Sequence, residues 1–245
     1  MEKKVKPYKI LAVETSGRTC SLAIAEGGPG PILRGEVFFD IGLRHSDILM
    51  ECCDFLMGTA AWKKEDLTHL AVSTGPGSFT GIRVGIAFTR ALAQSMKIPL
   101  IGLSTFDILA RRTRAAGIEG PLCIAFESIG DEVFAGLYGA DGTSPTAPYA
   151  VHAVPDLIAK LRSSKSVLGL GDGFDKHREP LQRALGRKLR IAPADLSQPR
   201  AGTLALLAGE RLRSTRSRIP SWDKIVPFYM RPPLVVERLK KGKKS

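Results

Sequence analysis

A chain of 245 residues with 44% hydrophobic residues suffices for one large domain or two small lobes, and its composition is ordinary for a globular α/β protein. No segment approaches the ~20 apolar residues of a membrane span. The run at residues 10–13 is stopped by Glu14, too early for a signal-peptide core, so the expected location is the cytoplasm. A net charge of +12, from 36 Lys+Arg against 24 Asp+Glu, points to an anionic partner such as nucleic acid. Part of that excess sits in terminal segments: Lys3, Lys4, Lys6 and Lys9 at the start, Arg238, Lys240, Lys241, Lys243 and Lys244 at the end. Whether these touch RNA or are simply solvated stays open.

In chain order, residues 10–13, 20–25 and 32–39 read as three strands, with Gly/Pro punctuation at 27–31. Residues 44–57 read as a helix closed by Gly58, with Ser46 as N-cap. A short strand at 67–73 enters the turn Gly75-Pro76-Gly77, and 78–97 is helical until Pro99. A strand at 100–103 and a helix at 105–116 follow. Strands are then predicted at 122–126, 132–138 and 167–171, and helices at 155–161 and 202–213. From Pro227 the chain is extended, since Pro232-Pro233 forbids helix. Hairpins followed by strand–helix alternation, twice over, imply two α/β lobes, drawn as residues 1–110 and 111–245.

Two turns carry candidate chemistry. Glu14-Thr15-Ser16-Gly17 sets a carboxylate and two hydroxyls in a hairpin turn, where they can hold phosphate or a metal-bound water, or simply make a turn. Gly75-Pro76-Gly77-Ser78 joins a strand to a helix, where backbone N–H groups can cradle an anion. Glu14, Thr15, Ser16, Gly75 and Gly77 are therefore the candidate cofactor-binding residues. The spacing Gly75, Gly77, Gly81 is neither a dinucleotide fingerprint nor a Walker loop.

Two helices are apolar on two sides. On one, Ile82, Ile86 and Ala93 form one stripe and Val84, Phe88 and Ala91 another, with Arg83, Ala87, Arg90 and Gln94 between them. On the other, Ile48, Cys52 and Phe55 form one stripe and Met50, Cys53 and Met57 a second. Such helices are either buried inside one domain or covered once by their own sheet and once by a partner. Gly81 and Gly85, four apart, allow another helix to approach closely.

Catalytic patterns are missing: there is no GxSxG elbow, HExxH or HxxxH, and His45, His69, His152 and His177 are scattered. No metal site and no catalytic residue is assigned. Adjacent Cys52 and Cys53, isolated Cys20 and Cys123, and the lack of CxxC read as buried thiols rather than a disulfide framework.

The stretches ILAVETSGRTCSLAIAEG from Ile10, RHSDILM from Arg44, GPGSFTGIRVGIAFTRALA from Gly75 and IPLIGLSTFDILA from Ile98 resemble the TsaB (YeaZ) family closely. The second half is similar more thinly, at Glu132-Val133-Phe134, Leu170-Gly171-Asp172-Gly173 and Pro227-Phe228-Tyr229-Met230-Arg231. The resemblance implies an actin/Hsp70/sugar-kinase-like (ASKHA) fold with two lobes from one duplicated unit. It implies a non-catalytic, activating subunit that binds the catalytic subunit TsaD. With the ATPase TsaE, that complex moves a threonylcarbamoyl group to the adenosine beside the tRNA anticodon. No intrinsic cofactor is expected, with ATP or ADP at an interface with TsaD and TsaE, and a homodimer when alone. TsaD holds its metal with two histidines on one helix, a pair missing here. Partner contact is expected through the helices beginning near Arg44 and Ser78, at His45, Ile48, Cys52, Phe55, Gly81, Arg83, Gly85 and Phe88. Two departures weaken nucleotide binding: Glu14 where the family carries Asp, and Glu127-Ser128-Ile129 where it carries Asp-Ala-Arg. The rival expectation is an active ATP-dependent phosphotransferase or hydrolase of the same fold using Glu14 and the glycine turn. A general RNA-binding module rests on charge alone, and 7% aromatic residues argue against a stacking platform.

Overall fold

The computed structural model describes residues 7–28, 30–40, 42, 45–142, 144–214 and 221–228. The side chain of His45 and the basic segment 238–244 lie outside the described residues, as do Tyr229, Met230 and Arg231.

The chain folds its strands into two five-stranded sheets built on one plan. The first contains β1 (Tyr8–Glu14), β2 (Thr19–Gly27), β3 (Pro31–Asp40), β4 (His69–Ser73) and β5 (Leu100–Leu103), in the order β3-β2-β1-β4-β5. The second contains β6 (Leu122–Glu127), β7 (Glu132–Tyr138), β8 (Ala150–Ala153), β9 (Val167–Leu170) and β10 (Leu189–Ile191), in the order β10-β9-β6-β7-β8. In each, the first strand pairs antiparallel with the second and parallel with the fourth, and the fifth lies parallel outside the fourth. The second sheet is thus the first repeated, strand for strand.

Alternation decides what covers each face. Leu11, Val13, Leu22 and Val72 point to one side of the first sheet, against α1 (Leu49–Thr59) and α2 (Phe79–Met96). Ser78 caps α2 by accepting the Gly81 N–H at 3.2 Å, and Lys97 closes it in the left-handed conformation. The expected Ser46 cap of α1 is corrected. Residues His45–Asp47 form a 3-10 turn, Ile48 takes the cap position without a side-chain bond, and the Ser46 hydroxyl bonds Asp47 instead.

The opposite face of the first sheet presents Ile10, Ala12, Ala23 and Ala71. Because both faces are apolar, a second layer is required, and α7 (Ala201–Ser214) supplies it with Ala201, Leu204, Ala205 and Ala208. Its first N–H donates to Ser21 Oγ at 2.9 Å. The expectation that everything from residue 111 onward belongs to the second lobe is therefore corrected for residues 201–214 and 221–228, which return to the first. Ile225 is even part of the α1–α2 core.

Between the two sheets runs α3 (Thr105–Ala115), which packs Ile108 on the first lobe and Phe106, Leu109 and Ala110 on the second. Asp107 Oδ1 accepts hydrogen bonds from Tyr138 Oη at 2.9 Å and Tyr149 Oη at 2.6 Å. The remaining face of the second sheet is covered by α4 (Val154–Leu161), α5 (Asp172–Lys176) and α6 (Arg178–Leu185).

Candidate functional site

The two turns singled out in the sequence meet at the carboxyl ends of β1 and β4. Thr15 Oγ1 donates to the Gly81 carbonyl at 2.8 Å, and the Ser78 N–H donates to the Ser16 carbonyl at 2.6 Å. Gly75 and Gly77 take φ of +100° and +146°, and a Cβ on Gly77 would collide with the Ser16 carbonyl. Glu14, Thr15, Ser16, Gly75 and Gly77 are thus brought together, but against one another. Glu14 is fully buried, with Oε1 accepting the Ser16 N–H at 2.6 Å. Burial pushes its carboxyl above the usual range, and the nearby Ser16 and Ser73 hydroxyls act in the opposite direction. Neither hydroxyl reaches hydrogen-bond geometry, and Glu14 Oε2, Ser16 Oγ and Ser73 Oγ are all buried without partners. A phosphate cradle needs donors facing a ligand. Here Thr15 Oγ1 and the Ser78 N–H are taken up within the fold, and the Ser16 hydroxyl is buried.

The second lobe repeats the construction. Gly171, φ +96°, lies where a Cβ would strike the Ala125 carbonyl, and Asp172 accepts the Glu127 N–H at 2.8 Å. Burial raises the Asp172 carboxyl above its ordinary value. Glu127 is exposed, unlike Glu14, and pairs with Lys176 at 3.3 Å.

The helix faces divide differently from the sequence expectation. Gly81 and Gly85 are buried, and a Cβ on Gly85 would meet Thr15 Oγ1 and lie 3.6 Å from Val72 Cγ2. The reading of these glycines as a partner-facing surface is corrected: they seat α2 on its own sheet. Cys52 is buried in the same core, and Ile48 and Phe88 are half-buried against it. Phe55 and Arg83 do face solvent, Phe55 at 62% exposure, with the Arg83 guanidinium 4.1 Å from the Phe79 ring centroid. Met50 (53%) and Phe79 (47%) join them, neither of which the sequence assigned to the interface. The available signal was the mixing of Met50 and Phe55 with Glu51 and Asp54 on one helical face.

Repetition of a 3-2-1-4-5 mixed sheet with a glycine turn after its fourth strand makes this a two-lobed ASKHA-fold protein. Residues 41–234 match the family described as "TsaD: tRNA N6-adenosine threonylcarbamoyltransferase". The chain belongs to that family, in its TsaB (YeaZ) branch. The "tRNA threonylcarbamoyladenosine biosynthesis protein TsaB" of Bacillus subtilis is 28% identical over 205 residues, 82% of this chain and 87% of the relative. The protein of that name from Buchnera aphidicola (from Schizaphis graminum) is 27% identical over 177 residues, 68% and 80% of the two chains. The solved structure of YeaZ from Pseudomonas aeruginosa superposes with a TM-score of 0.74 at 23% identity, covering 91% of this chain and 99% of that one.

Proposed function

We propose that this chain is a non-catalytic, activating subunit in tRNA threonylcarbamoyladenosine biosynthesis, acting by binding a TsaD-like catalytic subunit through α1 and α2. The observation that carries the reading is the outward face of these helices. Met50, Phe55 and Phe79 are large apolar side chains left in solvent, set among charges. The charges are complementary: exposed Glu51 and Asp54 on α1, and exposed Arg83 beside Phe79 on α2. A related fold, or a second copy of this chain, can therefore lay its acidic helix on the basic one. That arrangement serves both the partner complex and a homodimer when the chain is alone.

Several features support a role without chemistry of its own. Burial pushes the Cys20 thiol up to about 12 and the Cys53 thiol to about 11, so neither is a ready nucleophile. His69, His152 and His177 stand on separate parts of the fold. The closed Glu14 turn leaves ATP or ADP to act where this chain meets its TsaD-like and TsaE-like partners. tRNA is engaged through the assembled complex.

The test is reconstitution. With TsaD-like and TsaE-like subunits, the chain should restore threonylcarbamoyl transfer to tRNA while turning over no ATP alone. ATP hydrolysis by the isolated chain, lost on Glu14→Ala, would reject the reading in favour of an active phosphotransferase or hydrolase.

A further inference from the structure

On the β5 side of α2, away from α1, the chain returns as residues 222–228 and forms a strap. Ile225 is seated beside Gly102, where a Cβ would lie 3.2 Å from its Cγ2, and the Phe228 N–H donates to the Thr74 carbonyl at 2.7 Å. Between strap and helix lies a groove of about 550 Å³. Arg83, Ala87, Arg90, Ala91 and Gln94 line it from α2, and Trp222 and Pro227 from the strap. Arg83 and Arg90 stand two helical turns apart, ~10 Å along the axis. The Arg90 guanidinium sits 5.8 Å from the Trp222 ring centroid. Among the described residues no carboxylate lines the groove, and neighbouring Asp223 is paired with Lys224 at 3.7 Å.

We propose that this groove binds single-stranded RNA, with backbone phosphates on Arg83 and Arg90 and a base against Trp222. The charge supports a polyanion, since two guanidinium groups line one groove and match the spacing of phosphates along a strand. The indole supports a nucleobase over an acidic peptide, because stacking on an aromatic face accepts any base. Size agrees, since the volume is on the scale of small-molecule sites. The chain's net charge of +12 adds long-range attraction. Composition argued against a broad stacking platform, but one indole in a walled groove needs no such abundance. The tRNA reading above names the biological source of the RNA, and the chemistry of the groove stands without it.

The test titrates the full-length chain into fluorescein-labelled oligoadenylate, following anisotropy over a series of salt concentrations. Arg83→Glu and Arg90→Glu should each weaken binding about tenfold or more, and Arg90→Ala should flatten the salt slope by about 0.7. Trp222→Ala should weaken binding about tenfold without changing the slope, and Trp222→Phe should recover most of the loss, separating stacking from misfolding. Basic residues elsewhere are common to all these proteins, so the comparison isolates the groove. No binding by the parent chain, or unchanged affinity and slope in the arginine variants, overturns the proposal. Displacement of RNA by polyglutamate together with a silent Trp222→Ala overturns it too, in favour of an acidic protein ligand. Capture of the TsaD-like subunit is measured in parallel. If the parent chain fails to capture it while the RNA pattern holds, the accessory-subunit reading falls and the groove stands.

Discussion

Thr15 and Gly81 are joined by a 2.8 Å hydrogen bond from the threonine hydroxyl to the glycine carbonyl, tying the end of β1 to the first turn of α2. One turn further on, Gly85 leaves open the space that this hydroxyl occupies. The helix is thereby held against the sheet, and its opposite side is the one that can meet a partner.

Gly85→Leu should therefore destabilise the isolated chain. The new side chain has nowhere to go but into Thr15 and Val72. Overpacking typically costs about 1–3 kcal/mol, a fall of roughly 2–10 °C in Tm at this chain length. Thermal unfolding of the chain alone checks it, and an unchanged Tm would put Gly85 back on the outer surface.

That orientation was not legible in the sequence. Two glycines four apart in a helix that is apolar on both sides fit a partner or the helix's own sheet equally well. The elements with strong periodicity and caps were legible, including β1 to β3, α2 after Ser78, and α3, whose Ser104 accepts the Phe106 N–H at 3.2 Å. Short pieces such as β8, β10 and α5 carry too few residues to show a period. The helix at 201–214 was visible, but spacing does not say which sheet a stripe will cover. Glu14 was singled out for a ligand because a carboxylate in a hairpin turn reads as accessible. Its burial depends on the glycine turn closing over it from 60 residues away, a long-range fact.

Phe55→Glu should separate partner binding from folding. At 62% exposure the ring contributes little to the lobe's own core, so stability should change by less than about 0.5 kcal/mol. A charge at the centre of an apolar contact should cost about 2 kcal/mol or more of binding, roughly thirtyfold. Capture of the TsaD-like subunit by variant and parent chains measures the loss. Equal capture would remove α1 from the interface.

Tyr149→Phe should loosen the joint between the lobes. Tyr149 and Tyr138 both donate to Asp107 on α3, and burial pushes both phenols well above their ordinary range. The variant keeps the ring, whose centroid is 4.5 Å from that of Phe106, so only the hydroxyl is lost. A hydrogen bond to a charged group contributes about 1.5–3 kcal/mol. Tyr138 still serves the carboxylate, so a loss of about 1–2 kcal/mol in urea unfolding is expected. No change would mean the triad is incidental to lobe packing.

Glu14→Gln should change the pH dependence of stability in a definite direction. Burial raises the folded-state pKa of Glu14 above the ordinary 4.5. The folded chain then binds this proton more tightly than the unfolded chain does. Between 4.5 and the raised folded value, the residue's contribution to stability falls as pH rises. Below that window the protonated side chain is buried without charge, and above it the full cost of an enclosed carboxylate is present. Glutamine keeps an oxygen for the Ser16 N–H and carries no titrating proton. The stability of the variant relative to the parent should therefore grow from acid toward neutral pH and level off above the folded pKa. Urea midpoints for both proteins from about pH 4 to about pH 8 resolve it. A difference that stays constant over that range would show that Glu14 titrates as an ordinary solvated carboxylate, and that the turn opens in solution.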